Sequence, residues 1–94
     1  MKRFEIITAA QNTKKIQTLL DRNQIDGYTF LPRVAGQGSQ GYMDADGLSM
    51  AFQNVYFLIG CSNEEFERIS PLVKNLLDNI GGVAFVSDGE WVKQ

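Results

Sequence analysis

The first nine residues alternate in polarity. Phe4, Ile6 and Thr8 alternate with Glu5 and Ile7, and β-branched residues dominate, so Lys2 to Ala9 reads as a strand. The period then lengthens. Ile16, Leu19, Leu20 and Asn23 recur at helical spacing against Lys14, Lys15, Gln17, Asp21 and Arg22, behind an N-cap at Asn12 or Thr13. This helix is expected to end near Asn23 or Gln24, with Asp26-Gly27 marking the turn into GYTFLPRVAG, Gly27 to Gly36. That stretch has strand composition, but Pro32 has no N–H to give to a ladder, which puts the strand at an edge or interrupts it. FQNVYFLIGC, Phe52 to Cys61, is a third strand, with Val55, Phe57 and Ile59 alternating against Asn54, Tyr56 and Leu58.

A second helix is announced by Ser62-Asn63-Glu64-Glu65, a capping box in which Ser and Glu each satisfy an orphan backbone N–H. Phe66, Ile69, Leu72, Val73, Leu76, Leu77 and Ile80 follow as its apolar stripe. Pro71 is expected to bend it, and Gly81-Gly82 to end it. Val83 to Ser87 is a fourth strand, and Asp88-Gly89 opens a tail containing Trp91. The order β-α-β-β-α-β predicts an α+β, ferredoxin-like domain over residues 1–94: a four-stranded antiparallel sheet with both helices on one face. Tyr28, Phe30, Tyr56 and Leu58 are expected on the uncovered face, and a face so apolar suggests burial against another subunit.

Composition adds little to the fold and more to the chemistry. A 94-residue chain buries only about 60–65% of its unfolded surface, and oligomerisation would offset that. Net charge is −2, with no basic stripe, which argues against nucleic acid as a partner. The third strand has the aromatics of an RNA-reading sheet but none of its Lys or Arg. No apolar run reaches the length of a membrane span, so direct membrane insertion is not expected. Glu5 interrupts the apolar N-terminal stretch, so it is read as a strand, not a signal peptide, and the expected location is cytoplasmic. The single Cys61 fits a reducing compartment and reads as a buried structural thiol.

There is no histidine, which removes the commonest general base, the usual nucleophile partner and the usual zinc ligand. A small dimeric enzyme of this fold would have to use Tyr28, Tyr56, Glu5 or Asp26, and no pair of these stands out; no catalytic function is expected. Asp44 and Asp46 resemble the start of a calcium loop without its closing Glu. Met43, Met50 and Cys61 are soft-metal ligand types, and metal-ion handling is the alternative reading. The first loop, TAAQNTKK, has no cysteine pair of the kind that heavy-metal domains of this fold carry.

The remaining segment, VAGQGSQGYMDADGLSMAF, holds four of the nine glycines. Together with Gly27-Tyr28-Thr29-Phe30, Gly36-Gln37-Gly38-Ser39 and Ile80-Gly81-Gly82-Val83, the chain resembles the PII superfamily of signalling proteins. It is nearer the transporter-associated PII-like branch than the nitrogen-regulatory proteins proper. The resemblance implies a homotrimer with adenine-nucleotide clefts between subunits. It also implies a T-loop, here about residues 36–52, that docks on a protein partner such as a membrane transporter. Gly27 and Thr29 would lie near the adenine. Gly36, Gly38, Ser39 and Gln40 would face the phosphates, and Gly81, Gly82 and Val83 would form the opposite turn. Tyr42, Met43, Asp44, Asp46, Leu48 and Met50 would meet the partner. Glycines suit a phosphate site because a bare backbone can approach closely and offer consecutive N–H groups. The chain departs from the family pattern where a loop arginine is replaced by Ser39 and a lysine of the later turn by Val83. So thin a positive charge favours AMP or ADP over ATP as regulatory ligand, with Arg33, or Lys93 from a neighbouring subunit, as compensating cations.

Overall fold

The structure, a computed structural model, describes residues 1–38, 41–42 and 53–94. Its elements are β1 (Lys2–Ala9), a 3₁₀ turn (Ala10–Asn12), α1 (Thr13–Arg22), β2 (Tyr28–Val34), β3 (Gln37–Gly38), β4 (Gly41–Tyr42), β5 (Asn54–Cys61), α2 (Asn63–Ile80) and β6 (Val83–Asp88). The main sheet has the order β2-β5-β1-β6 with every neighbouring pair antiparallel, which is the expected ferredoxin-like arrangement. β3 and β4 form a separate two-residue ladder, Gln37 opposite Tyr42 and Gly38 opposite Gly41, at the start of the glycine-rich segment.

β1 and β5 are the central strands. Phe4, Ile6 and Thr8 of β1 and Val55, Phe57, Ile59 and Cys61 of β5 are buried toward the helices. Ile16 and Leu20 of α1, Ile25, and Ile69, Val73 and Leu77 of α2 close over them. Leu72 departs from the expected stripe and is 40% exposed. α2 runs unbroken through Pro71. Pro71 and Glu67, whose carbonyl loses the proline's missing N–H, are both on the exposed side, so water can satisfy that oxygen.

β2 is an edge strand, and its register with β5 shifts between Leu31 and Val34, around Pro32. Register also corrects the expected face for two aromatics. Tyr28 lies opposite Ile59 and Phe30 opposite Phe57, so both point to the helix side. Their rings stand 5.9 and 5.3 Å from that of Phe57. Alternation within YTFLPRV says which residues share a face but not which face it is; a shift of one residue would invert it. Tyr56 and Leu58 do lie on the open face, in rows with Ile7, Leu31 and Val83 and with Glu5, Thr29 and Phe85.

The helix starts differ in kind. Asn12 occupies the N-cap position of α1, but its side chain makes no capping bond; it is buried and turned toward Thr8 instead. Ser62 forms the full capping box of α2, its Oγ accepting from the Glu65 N–H at 3.0 Å and the Glu65 carboxylate accepting from the Ser62 N–H at 2.9 Å. Ser62→Ala should therefore cost about 1 kcal/mol and lower Tm by about 4–8 °C. An unchanged Tm in thermal unfolding would mean that the box contributes nothing.

Candidate functional site

The glycine turn after α2 is the most tightly built part of the site. The Gly81 N–H donates to the Leu77 carbonyl at 2.7 Å, ending the helix, and Gly81 and Gly82 have φ of 85° and 123°. A Cβ on Gly82 would stand 2.6 Å from the Ile7 carbonyl oxygen and 2.9 Å from Thr8 Cβ, so no side chain fits between this turn and β1. Thr8 Oγ1 donates to the Gly81 carbonyl at 2.9 Å. Val83 then opens β6 opposite Ile7 and is 56% exposed.

The second set of glycines stands on the other side of the sheet. Gly36 follows the end of β2, and Gly38 closes the small β3–β4 ladder against Gly41. Val34 pairs with Asn54, and Asn54 with Ala9, so this end of the sheet is the same end at which the Gly81–Gly82 turn sits. β2 and β6 are opposite edges, however, with β5 and β1 between them. At strand spacing the two glycine sets are about 14 Å apart within one subunit. Gly27 and Thr29 lie further along the β2 edge, with Thr29 exposed opposite Leu58. Ser39, Gln40, Met43, Asp44, Asp46, Leu48 and Met50 lie outside the described residues, and of Tyr42 only the backbone pairing is described. Among the described residues no three ligating side chains come together for a metal.

Of the two candidate cations, Arg33 lies in the β2 irregularity, three residues before Gly36, and is exposed. Lys93 follows a tail anchored at the far end of the sheet. There the Gly89 N–H donates to the Met1 carbonyl at 3.0 Å, Lys2 Nζ pairs with Asp88 at 2.6 Å, and the Trp91 ring lies over Gly60. That end is about 20 Å from the glycine turn along β1, so within a subunit Arg33, not Lys93, is placed near the loop base.

Other polar groups were not singled out by motif. Tyr56 donates to the Glu5 carboxylate at 2.7 Å on the open face, and that bond, aided by burial, pushes the phenol pKa up. Burial, with Asp21 alongside, does the same for Tyr28. Cys61 is buried, and burial raises its thiol pKa, which matches a structural role. Cross-strand partners such as Glu5 and Tyr56, 51 positions apart, leave no local signal in a sequence. Beside the turn, β6 is open on both faces, and a groove of about 350 Å³ runs between it and α2, lined by Phe66, Val73, Leu77, Gly82, Ala84 and Val86.

The family model described as nitrogen regulatory protein P-II matches residues 1–94. The chain belongs to the P-II family. Among solved structures, the P-II fold is matched by CPII, a nitrogen regulatory PII-like protein from Thiomonas intermedia, bound to ADP, AMP and bicarbonate. The TM-score is 0.77 at 23% identity, over 92% of this chain and 82% of that one. CPII bound to ADP and bicarbonate matches with a TM-score of 0.76 at 26% identity over the same shares. A PII-like signalling protein from Thermus thermophilus matches with a TM-score of 0.71 at 23% identity, over 92% and 83%. A search of curated protein sequences gave no match. Among the described residues no helix of this P-II chain is long and apolar enough to cross a membrane.

Proposed function

We propose that this P-II chain folds as one domain, forms a homotrimer, and binds ADP or AMP in clefts between subunits to regulate a protein partner. The observation that carries this reading is the placement of the two glycine sets on opposite edges at the same end of the sheet. Within one subunit the two sets stand about 14 Å apart and leave an open gap between them. A neighbouring subunit would close it, for example if the β2 edge of one meets the β6 edge of the next. Gly36, Gly38, Ser39 and Gln40 would then form one wall and Gly81, Gly82 and Val83 the other, while Gly27 and Thr29, toward the opposite end of β2, would meet the adenine from a neighbouring subunit. Exposed Val83, Phe85 and Leu31 on the open sheet face supply apolar area for the contact. The CPII structures with ADP and AMP support the ligand class.

With Ser39 and Val83 where the family has an arginine and a lysine, and Arg33 exposed three residues before Gly36, AMP and ADP are favoured over ATP. The chain acts as a cytoplasmic regulator and not as an enzyme. Residues 36–52, with Tyr42, Met43, Asp44, Asp46, Leu48 and Met50, carry the signal to a partner such as a membrane transporter. The test combines light scattering with thermal unfolding in AMP, ADP, ATP or cyclic nucleotides. A trimer is expected, and ADP or AMP at about 100 times Kd should stabilise it by about 2.7 kcal/mol per site. No Tm shift at millimolar nucleotide would remove nucleotide sensing, and a dimer or monomer would remove the cleft.

A further inference from the structure

Thr8 and Asn12 are the buried polar residues in the described core, 2% and 5% exposed among apolar neighbours. Their hydrogen bonds run in one direction. Asn12 Nδ2 donates to Thr8 Oγ1 at 3.2 Å, and Thr8 Oγ1 spends its single proton on the Gly81 carbonyl at 2.9 Å. Asn12 closes the 3₁₀ turn whose first residue, Ala10, donates its backbone N–H to the Gln53 carbonyl at 2.7 Å. Gln53 is the C-terminal foot of the long segment, immediately before β5. A short polar path therefore joins the glycine turn on the β6 side to the loop foot on the β5 side. Hydrogen bonds in such a path fix orientation more strictly than apolar packing of the same volume would. The Gln53 side-chain oxygen is buried there without a donor among the described residues, so this foot retains an acceptor that a rearrangement could satisfy.

We propose that Thr8 and Asn12 are positioning residues that couple the Gly81–Gly82 turn to the Gln53 foot, so that the turn and the C-terminal end of the long segment shift together. The ligand half of this idea rests on the proposed function; the mechanical half does not. A nucleotide held by the turn would then be felt at the loop foot of the same subunit.

Thr8→Val keeps the shape of the side chain and removes both hydrogen bonds, whereas Thr8→Ser keeps both. In the ligand-free protein, amide exchange at Gly81 and at Ala10 should each rise about tenfold or more in Thr8→Val and return in Thr8→Ser. A rise at Gly81 with Ala10 unchanged would overturn the coupling, and this arm is decisive even if the wild-type protein binds no nucleotide. With ADP added, wild type and Thr8→Ser should gain protection at Ala10 and Thr8→Val should not; retained ADP-induced protection in Thr8→Val would also overturn it. Should Thr8→Val fail to fold, Asn12→Ala cuts only the far half of the path. It should raise exchange at Ala10 and leave Gly81 protected, and wild-type protection at both would overturn the proposal.

Discussion

Gly82→Ala should be among the most damaging single substitutions in this protein, costing about 2–6 kcal/mol. Two effects add. A φ of 123° is a conformation that L side chains rarely adopt, worth about 1–3 kcal/mol of strain. The new Cβ would also stand 2.6 Å from the Ile7 carbonyl and 2.9 Å from Thr8 Cβ, both on the central strand β1. Relief requires the turn to lift off β1, an overpacking cost of about 1–3 kcal/mol. For a domain of this size Tm should fall by at least about 8 °C. Gly81→Ala is the control. Gly81 also has a positive φ, 85°, but a Cβ there meets nothing within 4 Å. It should show the strain without the collision, so equal losses for the two variants in thermal unfolding would refute the close-approach account. Because the turn also opens β6, Gly82→Ala should abolish any nucleotide-induced Tm shift under conditions where the variant remains folded.

Phe57→Ala should cost about 3–5 kcal/mol through the cavity it leaves. Phe57 is fully buried at the middle of β5, between Ile6 on β1 and Phe30 on β2. Its ring is stacked on Phe30 at 5.3 Å and tilted toward Tyr28 at 5.9 Å. Collapse into the gap is limited because the neighbours belong to three paired strands. A domain of this length has a total stability of roughly 5–14 kcal/mol, so the loss would remove about a fifth of it or more. Phe57→Leu, which keeps most of the volume, should cost clearly less. Urea unfolding measures both. A Phe57→Ala variant within about 1 kcal/mol of wild type would mean that this aromatic cluster is not the centre of the core.

The substitution effects trace back to features that differ in how visible they were. Phe57 reads as a core residue from alternation alone, because it sits in a strand whose every second residue is apolar. The capping box at Ser62 and the stop at Gly81 are equally local: each depends on residues within three or four positions. The faces of Tyr28 and Phe30 were not legible, because register between β2 and β5 is a relation between segments some 30 residues apart. Asn12 offered the chemistry of an N-cap, yet its side chain turns inward because Thr8 and the Gly81 carbonyl, far along the chain, supply a better-satisfied buried arrangement. For the site, the glycine motifs were visible as strings. Their distribution over two edges, and the distance of Lys93 from them, came only from the strand order.

What the sequence determined by itself is therefore the four strands of the main sheet and the two helices, their order and, to within about two residues, their ends, though not the short β3–β4 ladder, and with them the P-II membership that its short motifs already suggested. These rest on period, caps and breakers, which act over a few residues. The tertiary structure decided which residues meet: the order β2-β5-β1-β6, the side that each strand buries, and the contact that leaves no room for a side chain at Gly82. Such facts depend on hydrogen-bonded pairing between distant strands, and a pairing register has no signature in either strand alone.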